Sequence, residues 1–194
     1  MARRGVEAER RDALVLAAIA TIEEAGSLEV TVAAIARRAN VSSALAHHYF
    51  GGKDDLMIAV MRHLLVVLRD AVLTRLRDAQ GPTERLRAVL SGCLDADQFS
   101  REIVFAWLSF YLHARRSPEA SRLLSIYFRR LDSNLVAALR PLCRDADAAR
   151  TLARGIGAAV DGIWLRQALA SDGGPNGADA VASIMRFVDG EIGR

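Results

Sequence analysis

Apolar residues recur three or four positions apart along most of the chain, and no stretch alternates between apolar and polar residues as a half-buried strand would. The first segment places Leu14, Ala18 and Ile22 on one stripe, and Gly26 follows as a natural stop. The four prolines, at positions 82, 118, 141 and 175, stand between periodic segments, where a missing N–H does not interrupt a helix. This pattern predicts an all-α fold.

A tight turn at residues 40–42 separates two short predicted helices near the N-terminus. Asn40 tolerates the left-handed conformation that such a turn needs, and Ser42 can cap the second helix. We predict a three-helix helix-turn-helix domain over residues 1–52, extending to about residue 68 with the start of a connecting helix, and a larger helical domain over 53–194. The predicted helices cover residues 7–25, 32–39, 43–50, 53–79, 83–93, 101–114, 118–139, 145–170 and 178–192.

Composition excludes several classes of protein. With 52% hydrophobic and 25% charged residues in 194, the chain can bury a core. Its longest apolar run has eight residues, whereas a membrane span needs roughly 18. No secretory signal is recognisable, and Cys93 and Cys143 form no close pair, so we expect reduced thiols and a cytoplasmic location, with no membrane association.

No motif of an enzyme is present. Gly155 and Gly157 lack the third glycine and the preceding strand of a dinucleotide site, and there is no Walker motif. The four histidines have no metal-ligand spacing. We therefore predict no catalytic activity, no metal site and no cofactor.

Positive charge is concentrated near the predicted turn. The net charge is only +3, but residues 30–53 contain Arg37, Arg38 and Lys53 and no acid, and further arginines lie at positions 3, 4, 10 and 11. Such a patch suits a nucleic-acid backbone, although an ordinary solvated surface has the same composition. The N-terminal arginines could reach phosphate or the minor groove, or belong to a disordered tail.

The second short helix has the form of a DNA-reading helix. Ser43, Ala44, His47 and His48 can project outward from it, as base-reading residues do in the major groove. Thr31 and Lys53 stand at the starts of the flanking helices, where free backbone N–H groups and the helix dipole favour a phosphate. A helix pair of this kind also occurs as plain packing.

Two segments resemble the DNA-binding domain of the TetR family of bacterial repressors: TVAAIARRANVS at 31–42 and HYFGGKDDL at 48–56. The resemblance implies that Thr31 and Lys53 hold phosphates and that the second helix faces the groove through Ser43, Ala44, His47, His48 and Tyr49. The sequence departs from the family at Asn40, Ala46 and His47, where glycine, a larger apolar residue and tyrosine are common.

Further segments are similar to one branch of that family, the repressors of the choline-to-glycine-betaine pathway. They are LRDAVLTRL at 68–76, AWLSF at 106–110, RRLDSNLV at 129–136 and DGIWLR at 161–166. The resemblance implies a homodimer that binds double-stranded operator DNA at genes for choline uptake and glycine betaine synthesis and is released by choline or betaine aldehyde. The alternatives are a TetR-like repressor of an efflux or catabolic operon that responds to another lipophilic or cationic ligand, and a helical adaptor that never binds DNA.

Aromatic residues in the larger domain are candidates for the effector site. A quaternary ammonium ion such as choline binds aromatic faces through cation–π attraction. Asp161 or Asp97 could supply a counter-charge, although Asp161 could instead pair with Arg166 or Arg154. The aromatics could equally be core residues. The candidate ligand-binding residues are Trp107, Phe110, Tyr111, Tyr127, Asp161 and Trp164, with Phe128 beside Tyr127.

The last two predicted helices offer a candidate dimer interface. Gly155, Ala158, Ala159 and Gly162 place small residues on one face, so another helix could approach closely. The final helix contributes an apolar set, Val181, Ile184, Met185 and Val188. By the resemblance these helices form a four-helix interface with two-fold symmetry. Packing within one chain is the alternative.

Overall fold

The computed structural model describes residues 2–27, 29–94, 100–170 and 176–193. Over these residues the chain is helical and has no strand, which confirms the predicted all-α fold. The helices are α1 (Ala2–Ala25), α2 (Val32–Arg38), α3 (Ser43–Phe50), α4 (Lys53–Asp78), α5 (Pro82–Leu94), α6 (Arg101–Ala114), α7 (Pro118–Leu139), α8 (Ala146–Leu169) and α9 (Gly177–Glu191).

The helix ends follow the local chemistry of the sequence. Gly26 and Gly51 adopt positive φ angles of 61° and 71° directly after α1 and α3, and Asn40 does so with 54° two residues after the end of α2. A left-handed residue at this position ends a helix because it turns the backbone away from the helical path. The predicted helices are confirmed with small shifts of their ends, of which the largest is at α1, which begins at Ala2 instead of residue 7.

The chain divides into two compact units. The first contains residues 1–65 and 105–123. In it, α1 packs on α2 and α2 packs on α3. The core of this unit is apolar and fully buried at Leu14, Ala18, Ile35, Ala36 and Leu56. This core fixes the two short helices against the long first one.

The second unit contains residues 66–104 and 124–194. Here α5 packs on α9 and α8, and α8 packs on α9. The apolar set of α9 predicted for the dimer interface lies inside this unit, because Val181, Ile184, Met185 and Val188 are all at most 6% exposed. That part of the prediction is wrong: α9 uses this face to contact its own chain.

The predicted domain boundary at residue 52 stays a prediction, because each compact unit combines two separate stretches of the chain and so does not correspond to one continuous domain.

Among the described helices, none combines the length and the apolar character needed to cross a membrane.

Candidate functional site: the exposed face of a short helix and two aromatic clusters

Each of the two short helices α2 and α3 begins with a side-chain cap. Thr31 Oγ1 accepts from the Ala34 N–H at 3.1 Å, and Ser42 Oγ accepts from the Leu45 N–H, also at 3.1 Å. These bonds satisfy N–H groups that have no partner within their own helix. Ser42 is therefore the cap that the sequence predicts, and α3 has a fixed starting point.

One face of α3 is buried and the opposite face is open. Ala46 is 1% exposed and Phe50 is 7% exposed, so these two residues anchor the helix in the core. The small side chain of Ala46 is a departure from the family, and it lies on this buried face. The structure brings the predicted groove-facing residues together on the open face: Ser43, Ala44, His47 and His48 are exposed, and Tyr49 beside them is half-buried.

His47 has a defined orientation. Its Nδ1 lies 3.1 Å from the carbonyl oxygen of Gly51. A carbonyl oxygen only accepts hydrogen bonds, so Nδ1 is the donor in this contact, and in that tautomer Nε2 is an acceptor. An acceptor at this position can receive a hydrogen bond from the amino group of adenine or cytosine in the major groove.

The two predicted phosphate-binding residues are both exposed at helix starts. Thr31 is the N-cap of α2, and Lys53 is the first residue of α4. Because Thr31 Oγ1 already accepts from Ala34, its own O–H proton remains available for donation to a phosphate. The two residues offer one hydroxyl donor and one ammonium group.

The basic patch is smaller than the sequence suggests. Arg38 of α2 pairs with Glu24 of α1, with 2.5 Å between Nη1 and Oε2. This ion pair joins residues of two different helices, so a charge count over neighbouring positions misses it.

A second contact that the sequence did not predict joins α1 to the end of α3, where Arg11 donates a hydrogen bond to the carbonyl oxygen of Tyr49.

Three candidate ligand-binding residues form an aromatic cluster in the first unit. The ring centroid of Trp107 lies 5.3 Å from that of Phe110 and 6.3 Å from that of Tyr111. Trp107 and Phe110 are buried, and Tyr111 is half-buried. The three rings thus pack against one another on one face of α6.

The opposite face of α6 lines an open cleft of about 1250 Å³. Phe105, Leu108 and Leu112 contribute its apolar wall, and Lys53 lies at the same cleft. None of the six candidate ligand-binding residues lines it. The aromatic cluster and this cleft are therefore separate features of the first unit.

The other three candidates meet in the second unit. The rings of Tyr127 and Trp164 are nearly parallel, at an interplanar angle of 14°, with their centroids 6.4 Å apart. Trp164 Nε1 donates to the carbonyl oxygen of Cys93 at 3.1 Å. Asp161 lies close enough to Cys93 for its charge to help raise the pKa of that thiol. The Asp161 carboxylate and the ring of Trp164 thus lie near Cys93, and the ring of Tyr127 lies alongside that of Trp164. Asp97 lies outside the described residues.

Comparison with known proteins identifies the family. Residues 14–60 match the model of bacterial regulatory proteins of the tetR family, and residues 82–193 match the C-terminal domain of BetI-type transcriptional repressors. The chain belongs to the TetR family, in its BetI-type branch. The HTH-type transcriptional regulator BetI of Brucella suis biovar 1 (strain 1330) is 48% identical over 188 residues, which are 97% of this chain and 94% of the relative.

Solved structures share the fold of this TetR-family repressor. A transcriptional regulator from Saccharomonospora viridis in complex with choline superposes with a TM-score of 0.81 at 22% identity, covering 94% of this chain and 96% of the other. AibR in complex with isovaleryl coenzyme A and operator DNA gives 0.72 at 21% identity, covering 92% and 97%. Since members of the family are DNA-binding regulators and not enzymes, the predicted lack of catalytic activity is confirmed.

Proposed function

We propose that this protein represses genes for choline uptake and glycine betaine synthesis, and that choline or betaine aldehyde releases it from the operator. Two observations support this proposal. The face of α3 that carries the candidate base-reading residues is exposed, with Thr31 and Lys53 on either side of it. The chain is also similar along nearly its whole length to regulators named BetI. An operator-binding repressor needs both a reading helix and phosphate contacts that set its register.

Operator recognition rests on few base-reading groups. His47 and His48 supply ring nitrogens, Ser43 supplies a hydroxyl, and the methyl group of Ala44 suits the methyl group of thymine. With so few hydrogen-bonding side chains, DNA shape and deformability carry a share of the specificity. Thr31 and Lys53 then contribute affinity for any sequence, because phosphates carry no sequence information.

Choline suits the chemistry of the aromatic clusters. Its quaternary ammonium group cannot donate a hydrogen bond, so aromatic faces and a carboxylate recognise it. Tyr127 and Trp164 offer nearly parallel rings, and Asp161 on the same helix as Trp164 offers the counter-charge. The choline complex of the Saccharomonospora viridis regulator supports this class of ligand for the fold.

A homodimer is the form that a palindromic operator requires. On α8, Gly155, Ala158 and Ala159 are exposed, and a Cβ atom added at Gly155 would contact nothing within 4 Å. Leu165 and Leu169 of the same helix and Phe187 of α9 are exposed large apolar residues. We propose that this surface, defined by these six residues, is the dimer interface.

Release by the effector requires two conformations of the dimer. Choline must bind more tightly to the one whose two α3 helices are wrongly spaced for successive major grooves. The coupling is reciprocal, so operator DNA weakens choline binding by the same factor as choline weakens operator binding.

The DNA-binding part is tested by replacing Lys53 with glutamine. If Lys53 holds a phosphate, affinity falls on every duplex, and the slope of log affinity against log salt concentration becomes shallower by about one. Arg140→Gln is the matched control, since it removes one positive charge from an exposed position directly after α7. An unchanged slope for Lys53→Gln, measured by fluorescence anisotropy, would remove Lys53 from the contacts.

A further inference from the structure

Arg11 joins the first helix to the end of the reading helix. Its Nη1 donates to the carbonyl oxygen of Tyr49 at 2.7 Å, across 38 positions of sequence. The same guanidinium lies over the ring of Phe50, with 4.7 Å between Cζ and the ring centroid. One side chain of α1 therefore makes both a charge-assisted hydrogen bond and a cation–π contact with the last two residues of α3.

The end of α3 is where such a contact has the greatest effect. The last carbonyl groups of a helix have no partner within it, and they carry the negative end of the helix dipole. With eight residues, α3 is too short to be stable by itself and depends on its contacts. Arg11 satisfies one of these carbonyls and adds positive charge there, while Phe50, which it covers, anchors α3 in the core.

We propose that Arg11 is a positioning residue for operator recognition. It holds the C-terminal end of α3 against α1 and so fixes the angle at which His47, His48 and Tyr49 meet the bases. This inference rests on the proposed function, and it gives Arg11 a different role from the phosphate contact that its place in an arginine-rich N-terminus suggests. A phosphate contact acts on every DNA sequence, whereas a positioning contact acts on discrimination between sequences.

The experiment compares three variants of the full chain: Arg11→Gln, Arg11→Lys and the matched control Arg10→Gln. Arg10 is exposed on the same helix, so its replacement changes the net charge equally. Affinity is measured by fluorescence anisotropy on a duplex from the protein's own upstream region and on a scrambled duplex, each at several salt concentrations.

A positioning role predicts a selective loss. Arg11→Gln lowers affinity for the upstream duplex by about tenfold, which is the size of effect expected from a lost charged hydrogen bond and cation–π contact. Its affinity for the scrambled duplex and its salt slope stay unchanged, Arg11→Lys recovers part of the loss, and Arg10→Gln leaves the preference between duplexes intact. An equal loss on both duplexes, with a salt slope shallower by about one, would mean that Arg11 contacts phosphate and would overturn the inference.

Hydrogen exchange on the free protein gives a test that does not depend on DNA. Loss of the Arg11 contact should speed exchange at the amides of residues 47–51 in Arg11→Gln and leave them unchanged in Arg10→Gln. Identical exchange in the two variants would overturn the positioning role. If the unmodified protein itself fails to prefer the upstream duplex, the proposed function fails, and the exchange result still decides the role of Arg11.

Discussion

At the scale of single residues, Asp161 is the most informative position for the effector. Its replacement by asparagine keeps the shape of the side chain and removes the charge, so choline should lose an attractive carboxylate. We expect about tenfold weaker release of operator DNA by choline, with unchanged operator affinity when choline is absent. Titration of the protein–duplex complex with choline measures both quantities.

The control for this variant is Asp189→Asn, which removes an equal charge from α9. An equal response to choline in the two variants would place Asp161 outside the effector site. A fall in operator affinity without choline would mean that Asp161 has a structural role.

Cys93 provides a pH-dependent prediction. Its thiol is buried, and burial, followed by the charge of Asp161, raises its pKa from 9.0 to about 12. The folded protein therefore keeps this proton above pH 9, where the unfolded chain loses it. The contribution to stability is complete below pH 9 and is lost as the pH rises toward 12.

Alkylation with iodoacetamide at mildly alkaline pH measures this protection. We expect Cys93 to remain unmodified in the folded protein and to react in urea, with the partly exposed Cys143 as the internal control. Native Cys93 that reacts as fast as in urea would contradict the burial of its thiol.

The exposed face of α3 was predictable from sequence, whereas the long-range hydrogen bonds that hold helices in place were not. Spacing along a helix alone pairs Ser43 with His47 and Ala44 with His48, because residues four apart share a face. The bond of Arg11 to Tyr49 spans 38 positions, and that of Trp164 to Cys93 spans 71. Such contacts depend on how helices pack, and a single sequence contains no period that reveals them.

At the scale of helices, Gly92 allows α5 to approach α4 closely within the second unit. A Cβ atom at this position would lie 2.6 Å from Val72 Cγ2 and 2.8 Å from Val72 Cα. Since the backbone of α4 cannot yield as a flexible side chain does, Gly92→Ala should lower the free energy of unfolding by about 1–3 kcal/mol. Urea denaturation followed by circular dichroism measures the change.

Gly190→Ala in α9 is the matched control, because a Cβ atom added at Gly190 would have no neighbour within 4 Å. Alanine should be neutral or stabilise this helix by up to about 1 kcal/mol. Equal effects at the two glycines would refute the close approach of α4 and α5.

Hydrophobic periodicity predicted where the helices lie, but it did not predict which helix packs against each apolar face. The helix ends could be predicted because they depend on local residues: glycine and asparagine with positive φ angles end helices, and a serine caps the start of α3. The apolar face of α9 was equally visible, yet it packs within the second unit instead of forming a dimer interface. A period locates a face that must be buried, and it contains no information on whether the covering helix belongs to the same chain.

At the scale of the whole molecule, the proposed dimer interface predicts a change of mass on mutation. Phe187 is 53% exposed in one chain, and Phe187→Glu would place a charge inside the interface. We expect the dimer dissociation constant to rise about thirtyfold or more, which is the effect of losing a central aromatic contact. Sedimentation equilibrium measures it. Leu73→Glu, at an exposed position of α4, should leave the dimer intact, and dimers that survive Phe187→Glu unchanged would exclude this surface.

Operator binding with and without the effector shows whether the protein is a repressor that choline or betaine aldehyde releases. A labelled duplex from the protein's own upstream region is titrated with protein at one fixed salt concentration, in the presence and absence of choline or betaine aldehyde, and fluorescence anisotropy is recorded. We expect tight binding that one of these compounds weakens. Tight binding that neither compound changes would contradict the proposed effector, and binding no tighter than to a scrambled duplex would contradict operator recognition itself.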